Sequence, residues 1–368
     1  MILQMGNDME QCGAAGVKEF SFKNGDYSFS ILNLGCAVTS IRCPDRNGNI
    51  ANVVLPFRDG VSNPLKLTNT NAFFGMTVGR FANRIAGASF ELDGVGYSFP
   101  PNDGNNLLHS GPHGIWSRIW DVRKESDGFT CLLKVKDMED GFPGDLDIRV
   151  RFSMSCDGVF RIHYSATSSK DCPLNVTNHT YFNLTGDSSR DICSHVAKFN
   201  SSHVLGVDEG LIPDGSLVDV SKTPFDFRSG KAIGSNIDDP SLSRTGGYDH
   251  AFVIDRFGRD CDVHRGFTQF AHIYEPSSGR MMQAFTDLPA FHFYTGNFLN
   301  GIEGYGNRCG FCLETEFYPD CVNHSDFPSC ILKAGDLFES TTAFHFYTDL
   351  SNAGSCVKMC ADAASKEA

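Results

Sequence analysis

The chain is poor in positive charge. Its 31 Lys and Arg stand against 44 Asp and Glu, a formal net charge of −13 over 368 residues. Nucleic-acid binders carry a basic stripe or patch, so that class is excluded. Long apolar runs are also missing, and no stretch approaches the roughly 18 residues of a membrane-spanning helix. The opening MILQMGNDME has neither the basic segment nor the apolar core of a signal peptide. There is no Walker A loop, no dinucleotide fingerprint after a strand and no G-x-S-x-G elbow. Helical periodicity is scarce throughout. What these absences leave is a soluble, cytoplasmic globular protein with no nucleic-acid or membrane partner.

Fourteen cysteines are present, but they scatter singly beside apolar residues, as in VRFSMSC and GFCLET. Cys309 and Cys312 form the one C-x-x-C, and no second pair follows at zinc-finger spacing. Cys321 and Cys330 are the nearest extra ligands, and reduced, buried thiols are the simpler reading. No metal is expected.

Period-2 alternation is the dominant pattern, and it predicts strands. In VRFSMSCDGVFRIHYSAT, Val150, Phe152 and Met154 alternate with polar neighbours. Phe160, Ile162 and Tyr164 do the same after Asp157-Gly158, a dipeptide suited to a tight hairpin turn. FELDGVGYSF repeats the scheme at Asp93-Gly94, and CPDRNGNIANVVL at Asn47-Gly48. The expected fold is all-β: a large antiparallel sandwich with few short helices. No linker or composition break divides it. One domain is expected over residues 17–349, between a polar N-terminal tail (1–16) and an Ala-rich C-terminal tail (350–368).

Polar groups gather where a plain sandwich needs none. GRFANRIAG carries Asn83 and Arg84, and NNLLHSGPHGIW carries His109 and His113. NVTNHTYFNLTG embeds His179, GGYDHAFVID presents Asp249 and His250, and FCLETEFYPD sets Glu314 and Glu316 in an apolar run. Histidine, carboxylate, amide and guanidinium without a strong nucleophile suit recognition of a polyhydroxylated ligand with proton transfer. That chemistry requires no cofactor. Residue pattern alone reaches a sugar-site enzyme and stops there.

Seven blocks, in order, carry a resemblance to the aldose 1-epimerases, also called galactose mutarotases. They are GMTVGRFANRIAGASFELDG, NNLLHSG with WSRIW, NVTNHTYFNLTG, PDGSLVDVSKTPFDFR, GYDHAFV, FTDLPAFHFYTGN and CLETEFYPD, spanning about residues 17 to 349. The resemblance implies a mutarotase-type β-sandwich that interconverts the α and β anomers of free hexoses such as D-glucose and D-galactose. It implies His179 as general acid and Glu314 as general base, with Asn83, Arg84, His109, Asp249 and His292 binding the sugar. The implied partner is a monosaccharide, and the implied assembly a monomer or weak homodimer.

Three positions depart from the family pattern. His292 stands where Gln is common, Glu316 where many relatives have Gln, and Ser110 where Gly is common. Spacing alone does not separate Glu314 from Glu316, since both fall on one strand face; the family register favours Glu314. Three other functions compete. A hexose-6-phosphate 1-epimerase would need a basic cluster for the dianion, and only Arg84 is evident. A non-catalytic sugar-binding module would not need both His179 and Glu314. A glycosidase would need a separated carboxylate pair, such as Glu314 with Asp249, and would leave His179 idle.

Overall fold

Alternation in the sequence becomes strand after strand in space. Along Leu146–Met154, Ile148, Val150 and Phe152 are buried while Arg149 is exposed. This strand pairs antiparallel with Val159–Ser168, Val150 opposite Tyr164 and Phe152 opposite Ile162. The turn between them uses Gly158 at φ +91°, and the Ser89–Leu92/Val95–Ser98 hairpin turns on Asp93 and Gly94 at φ +52° and +77°. Positive φ at two adjacent turn residues matches the right-handed twist of the flanking strands.

The computed structural model describes residues 11–12, 16–58, 70–255 and 267–350. The two expected tails therefore lie almost wholly outside the described residues. Within them, helices are limited to short 3-10 turns, and no helix is long and apolar enough to cross a membrane.

A nine-stranded antiparallel sheet forms one layer. Its order is Asp121–Glu125, Gly128–Val135, Leu146–Met154, Val159–Ser168, Phe338–Thr348, Arg280–Thr286, Thr268–Tyr274, Val196–Phe199 and Lys231–Ala232. Two five-stranded sheets pack against it. In the first, Phe29 meets Phe129 and Phe160 of the large sheet at ring separations of 5.9 and 5.1 Å. In the second, Phe291 meets Phe270 and Phe199 at 4.7 and 5.1 Å. A single apolar cluster runs through all three sheets, and each fully buried ring contributes roughly 1.5–3 kcal/mol.

The second five-stranded sheet positions the site. Its order is Pro213–Asp219, His203–Val207, Asp249–Val253, Ala290–Tyr294 and Cys312–Glu316. The last three strands are in register, with Asp249 opposite Tyr294, His292 opposite Glu314, and Tyr294 opposite Cys312. Period-2 alternation therefore sends Asp249, His292, Cys312, Glu314 and Glu316 to one face. Phe252, Phe291, Phe293 and Leu313 go to the other, inside the core. Thr315, also on the inner face, hydrogen-bonds Thr342 of the large sheet.

Candidate active site

The loops facing that polar surface are tied together by backbone hydrogen bonds. His109 N donates to Asn83 O at 3.0 Å, and the short strands Arg84–Ile85 and Leu107–Leu108 pair beside them. Asn83 and His109 both have positive φ, +63° and +51°. Asparagine tolerates that conformation well, and a short polar side chain can stabilise it: here Asn83 Oδ1 accepts Arg84 N at 2.9 Å. Ser110, also at φ +62°, brackets Phe81 with its hydroxyl, accepting from the amide and donating to the carbonyl. That backbone angle accounts for a glycine being at ease in the same place. His179 follows the Thr177–Asn178 bridge strand, and its peptide is fixed on both sides, N to Met76 O and O from Gly75 N.

Asn83, Arg84, His109, His179, Asp249, His292 and Glu314 all border one cavity of about 440 Å³. That volume suits a small-molecule site, typically about 300–1,000 Å³. Nε2 of His179 lies 3.6 Å from Oε1 of Glu314. Glu316 does not border the cavity; it lies beneath it, only 1% exposed, accepting Asn83 Nδ2 at 3.2 Å. His113 is exposed outside the cavity. His250 turns to the opposite strand face, its ring 4.6 Å from that of Phe225.

Aromatic walls are the part of the site that sequence reasoning did not name. Phe73 packs edge-on to His109 at 4.7 Å, and Tyr181 lies 4.9 Å from His179. Tyr294 closes a third side, and Phe298, 61% exposed, stands at the mouth. Tyr181 and Tyr294 sit inside the NHTYFNLTG and HFYTGN blocks, so their neighbourhood to the functional residues was visible although their role was not. Asp103 and Arg244 also border the cavity. Asp103 accepts Arg84 Nε at 2.7 Å, which orients the guanidinium across the entrance.

Burial sets the electrostatics. It lowers His179 to about 4 and His109 well below the ordinary imidazole value, so both rings are neutral in the unliganded site. It raises Glu314 well above the usual carboxylate range, with the positive charges of His292 and Arg84 opposing. His292 behaves differently. Burial disfavours its cation, but Asp249 at 2.6 Å and Glu316 at 3.6 Å outweigh that and carry it up to about 10. Asp249, despite its own burial, is held at about 2 by the same hydrogen bond. The amide of Asn83 also approaches Nδ1 of His292, at 3.0 Å. Its orientation is fixed by Arg84 N on Oδ1, so this contact favours the neutral ring and works against the two carboxylates.

His109, His179 and Glu314 hold their ligand atoms within 4.8 Å of one another. The hydrogen bonding argues against a metal there. Nδ1 of His109 accepts Asn83 N–H at 3.1 Å, which leaves the ring hydrogen on Nε2 and no free lone pair. Among the described residues the cysteines do not converge on a cation either. Cys309 and Cys312 pack in one apolar cluster, Cys321 and Cys330 in another.

Residues 18–345 match the family model described as aldose 1-epimerase. The chain belongs to the aldose 1-epimerase family. It is an isomerase, interconverting the anomers of hexoses. Galactose mutarotase of Bos taurus is 36% identical over 342 residues, covering 91% of this chain and 95% of the relative. The aldose 1-epimerase of Escherichia coli (strain K12) is 35% identical, covering 89% and 94%. Among solved structures, an aldose epimerase homologue from C. elegans superimposes with a TM-score of 0.78 at 27% identity, covering 89% of this chain and 98% of the other. A galactose 1-epimerase from Lactobacillus acidophilus NCFM gives 0.78 at 26% identity, covering 93% and 97%. The expected mutarotase-like all-β sandwich is thus the fold of this aldose 1-epimerase.

Proposed function

We propose that His179 is the general acid and Glu314 the general base of an epimerase acting on D-glucose and D-galactose. The observation that carries this reading is the 3.6 Å approach of His179 Nε2 to Glu314 Oε1 at the wall of a sugar-sized cavity. Opening the ring breaks the C1–O5 bond. His179 delivers a proton to O5 while Glu314 takes the proton of the C1 hydroxyl, and the C1=O1 double bond forms. Rotation about C1–C2 presents the other carbonyl face, and the pair then runs in reverse. Asn83, Arg84, His109, Asp249 and His292 hold the remaining hydroxyls. Carboxylate and imidazole acceptors face amide, guanidinium and Nε2–H donors, as a polyol requires.

The acid and base share one proton. Burial disfavours the imidazolium–carboxylate form in the unliganded site, and substrate hydroxyls donating to Glu314 offset part of that cost. Arg84 is already paired with Asp103, which speaks against the 6-phosphate sugars. A cytoplasmic, monomeric or loosely dimeric protein with one domain over 17–349 completes the reading. The described cysteines, all free thiols, fit a reducing compartment.

Polarimetry of freshly dissolved α-D-glucose and α-D-galactose tests it. The protein should speed approach to equilibrium rotation, with a bell-shaped dependence of kcat/KM on pH. Below about pH 4, the value of His179, both groups are protonated and no base remains. Above the raised value of Glu314, neither holds the proton and no acid remains. Acceleration limited to hexose 6-phosphates would overturn the substrate assignment.

A further inference from the structure

The mechanism above leaves Cys312 without a task, yet it touches the catalytic ring. Its Sγ lies 3.5 Å from Nδ1 of His179, on the side of the imidazole opposite the Nε2–Glu314 contact. Cys312 and Glu314 are alternate residues of the Cys312–Glu316 strand and share its polar face. One strand therefore grips both nitrogens of the same imidazole. Cys312 is fully buried; burial, with the charges of Glu314 and Asp249, pushes its thiol far up and keeps it protonated.

Histidines that must accept a proton and hold it are commonly backed at the far nitrogen by a carboxylate, which stabilises the imidazolium. Sulfur is a weak acceptor and S–H a weak donor. A thiol at Nδ1 fixes the plane of the ring without stabilising its positive charge. With the transferred proton on Nε2, Nδ1 keeps its hydrogen throughout the cycle, and Sγ accepts it before and after the transfer alike.

We propose that Cys312 is a positioning residue that holds the His179 ring toward the sugar while leaving it a strong acid, because the thiol at Nδ1 orients the imidazole and does little to retain its proton. This rests on His179 being the acid. The other titratable groups around that ring are Glu314, His109 (ring separation 5.6 Å), Tyr181 and Tyr294, with the charges of His292 and Asp249 beyond. Each belongs to an element separate from Cys312 or, for Glu314, contacts the other nitrogen.

The test compares Cys312→Ser and Cys312→Ala with the unaltered protein, by polarimetric kcat and KM across pH and by ¹⁵N-NMR titration of His179. Serine places a stronger acceptor at Nδ1. The acidic limb of kcat and the His179 titration should both move to higher pH by about one unit, with kcat lower by up to about tenfold and KM unchanged. Alanine supplies no acceptor and should not move the titration upward. Identical changes in both variants would make the residue a packing element and overturn the proposal, as would a serine variant with unaltered titration. Should His179→Asn retain full activity, it is the assignment of the acid that fails, and the two failures are distinct.

Discussion

Two buried groups of charges in this molecule are handled in opposite ways. Arg80 and Asp140 are both 0% exposed at the side chain, and they are joined at 2.8 Å. Arg80 Nη1 also donates to Pro143 O and Gly144 O, and Asp140 accepts Phe142 N. Nearly every polar atom there is answered by protein. Glu314, by contrast, is 4% exposed and no hydrogen bond reaches its carboxylate among the described residues; Nε2 of His179 stands 3.6 Å from it. The first group commits its charges to structure, and the second leaves a carboxyl group open toward a cavity. An unmet buried carboxylate is costly to the fold, and it is what a base needs in order to react with something else.

Substitution should separate the two groups cleanly. The largest effect expected is on catalysis at the open group. Glu314→Gln and His179→Asn should each lower kcat by about 10²–10⁴-fold, the range for a single acid–base group. Their thermal unfolding midpoints should not fall, since each replaces a buried titratable side chain that no strong hydrogen bond holds with a neutral amide of similar size. A drop in stability comparable to the drop in activity would erase the contrast. The converse is Asp140→Ala, which leaves Arg80 unpaired and should cost about 3–5 kcal/mol in chemical denaturation. Its folded fraction should retain near-normal kcat.

His292 lies between these extremes, because it is bonded like a structural residue yet borders the cavity. His292→Gln keeps a donor for Asp249 but removes the positive charge. It should raise KM by up to about tenfold, with a smaller change in kcat, one hydrogen bond to a charged group contributing about 1.5–3 kcal/mol. Steady-state polarimetry at several sugar concentrations separates the two constants. An unchanged KM would assign His292 to the structural side.

Local pattern carried the fold further than the site. The hairpins at Asp157-Gly158 and Asp93-Gly94 were legible because strand alternation and turn chemistry act over a few residues. That Glu314 and Glu316 share a strand face was equally visible, but which of them meets the cavity was not, since that depends on Asn83 and His292 covering Glu316. Asn83 and His292 are 209 residues apart, and no periodicity connects them; only the ordered family blocks brought His179, Glu314 and their companions together. Arg80 is fully buried, and nothing in the local pattern of GRFANRIAG announces that. The aromatic walls were hidden for another reason. Phe73, at φ +50°, occupies a backbone region that sequence does not announce for a phenylalanine.

The in-register pairing of Ala290–Tyr294 with Cys312–Glu316 has a consequence for how this enzyme tolerates change. A displacement of the final strand by a single residue would turn Leu313 and Thr315 outward and hide Glu314 among phenylalanines. Catalytic turnover is therefore a stringent gauge of correct strand alignment, one that global probes such as circular dichroism would miss. The segment between the two strands is itself anchored, Arg308 N bonding Gly296 O and Phe311 exchanging backbone bonds with Phe182, so the chain returns to the same hydrogen-bonded partners.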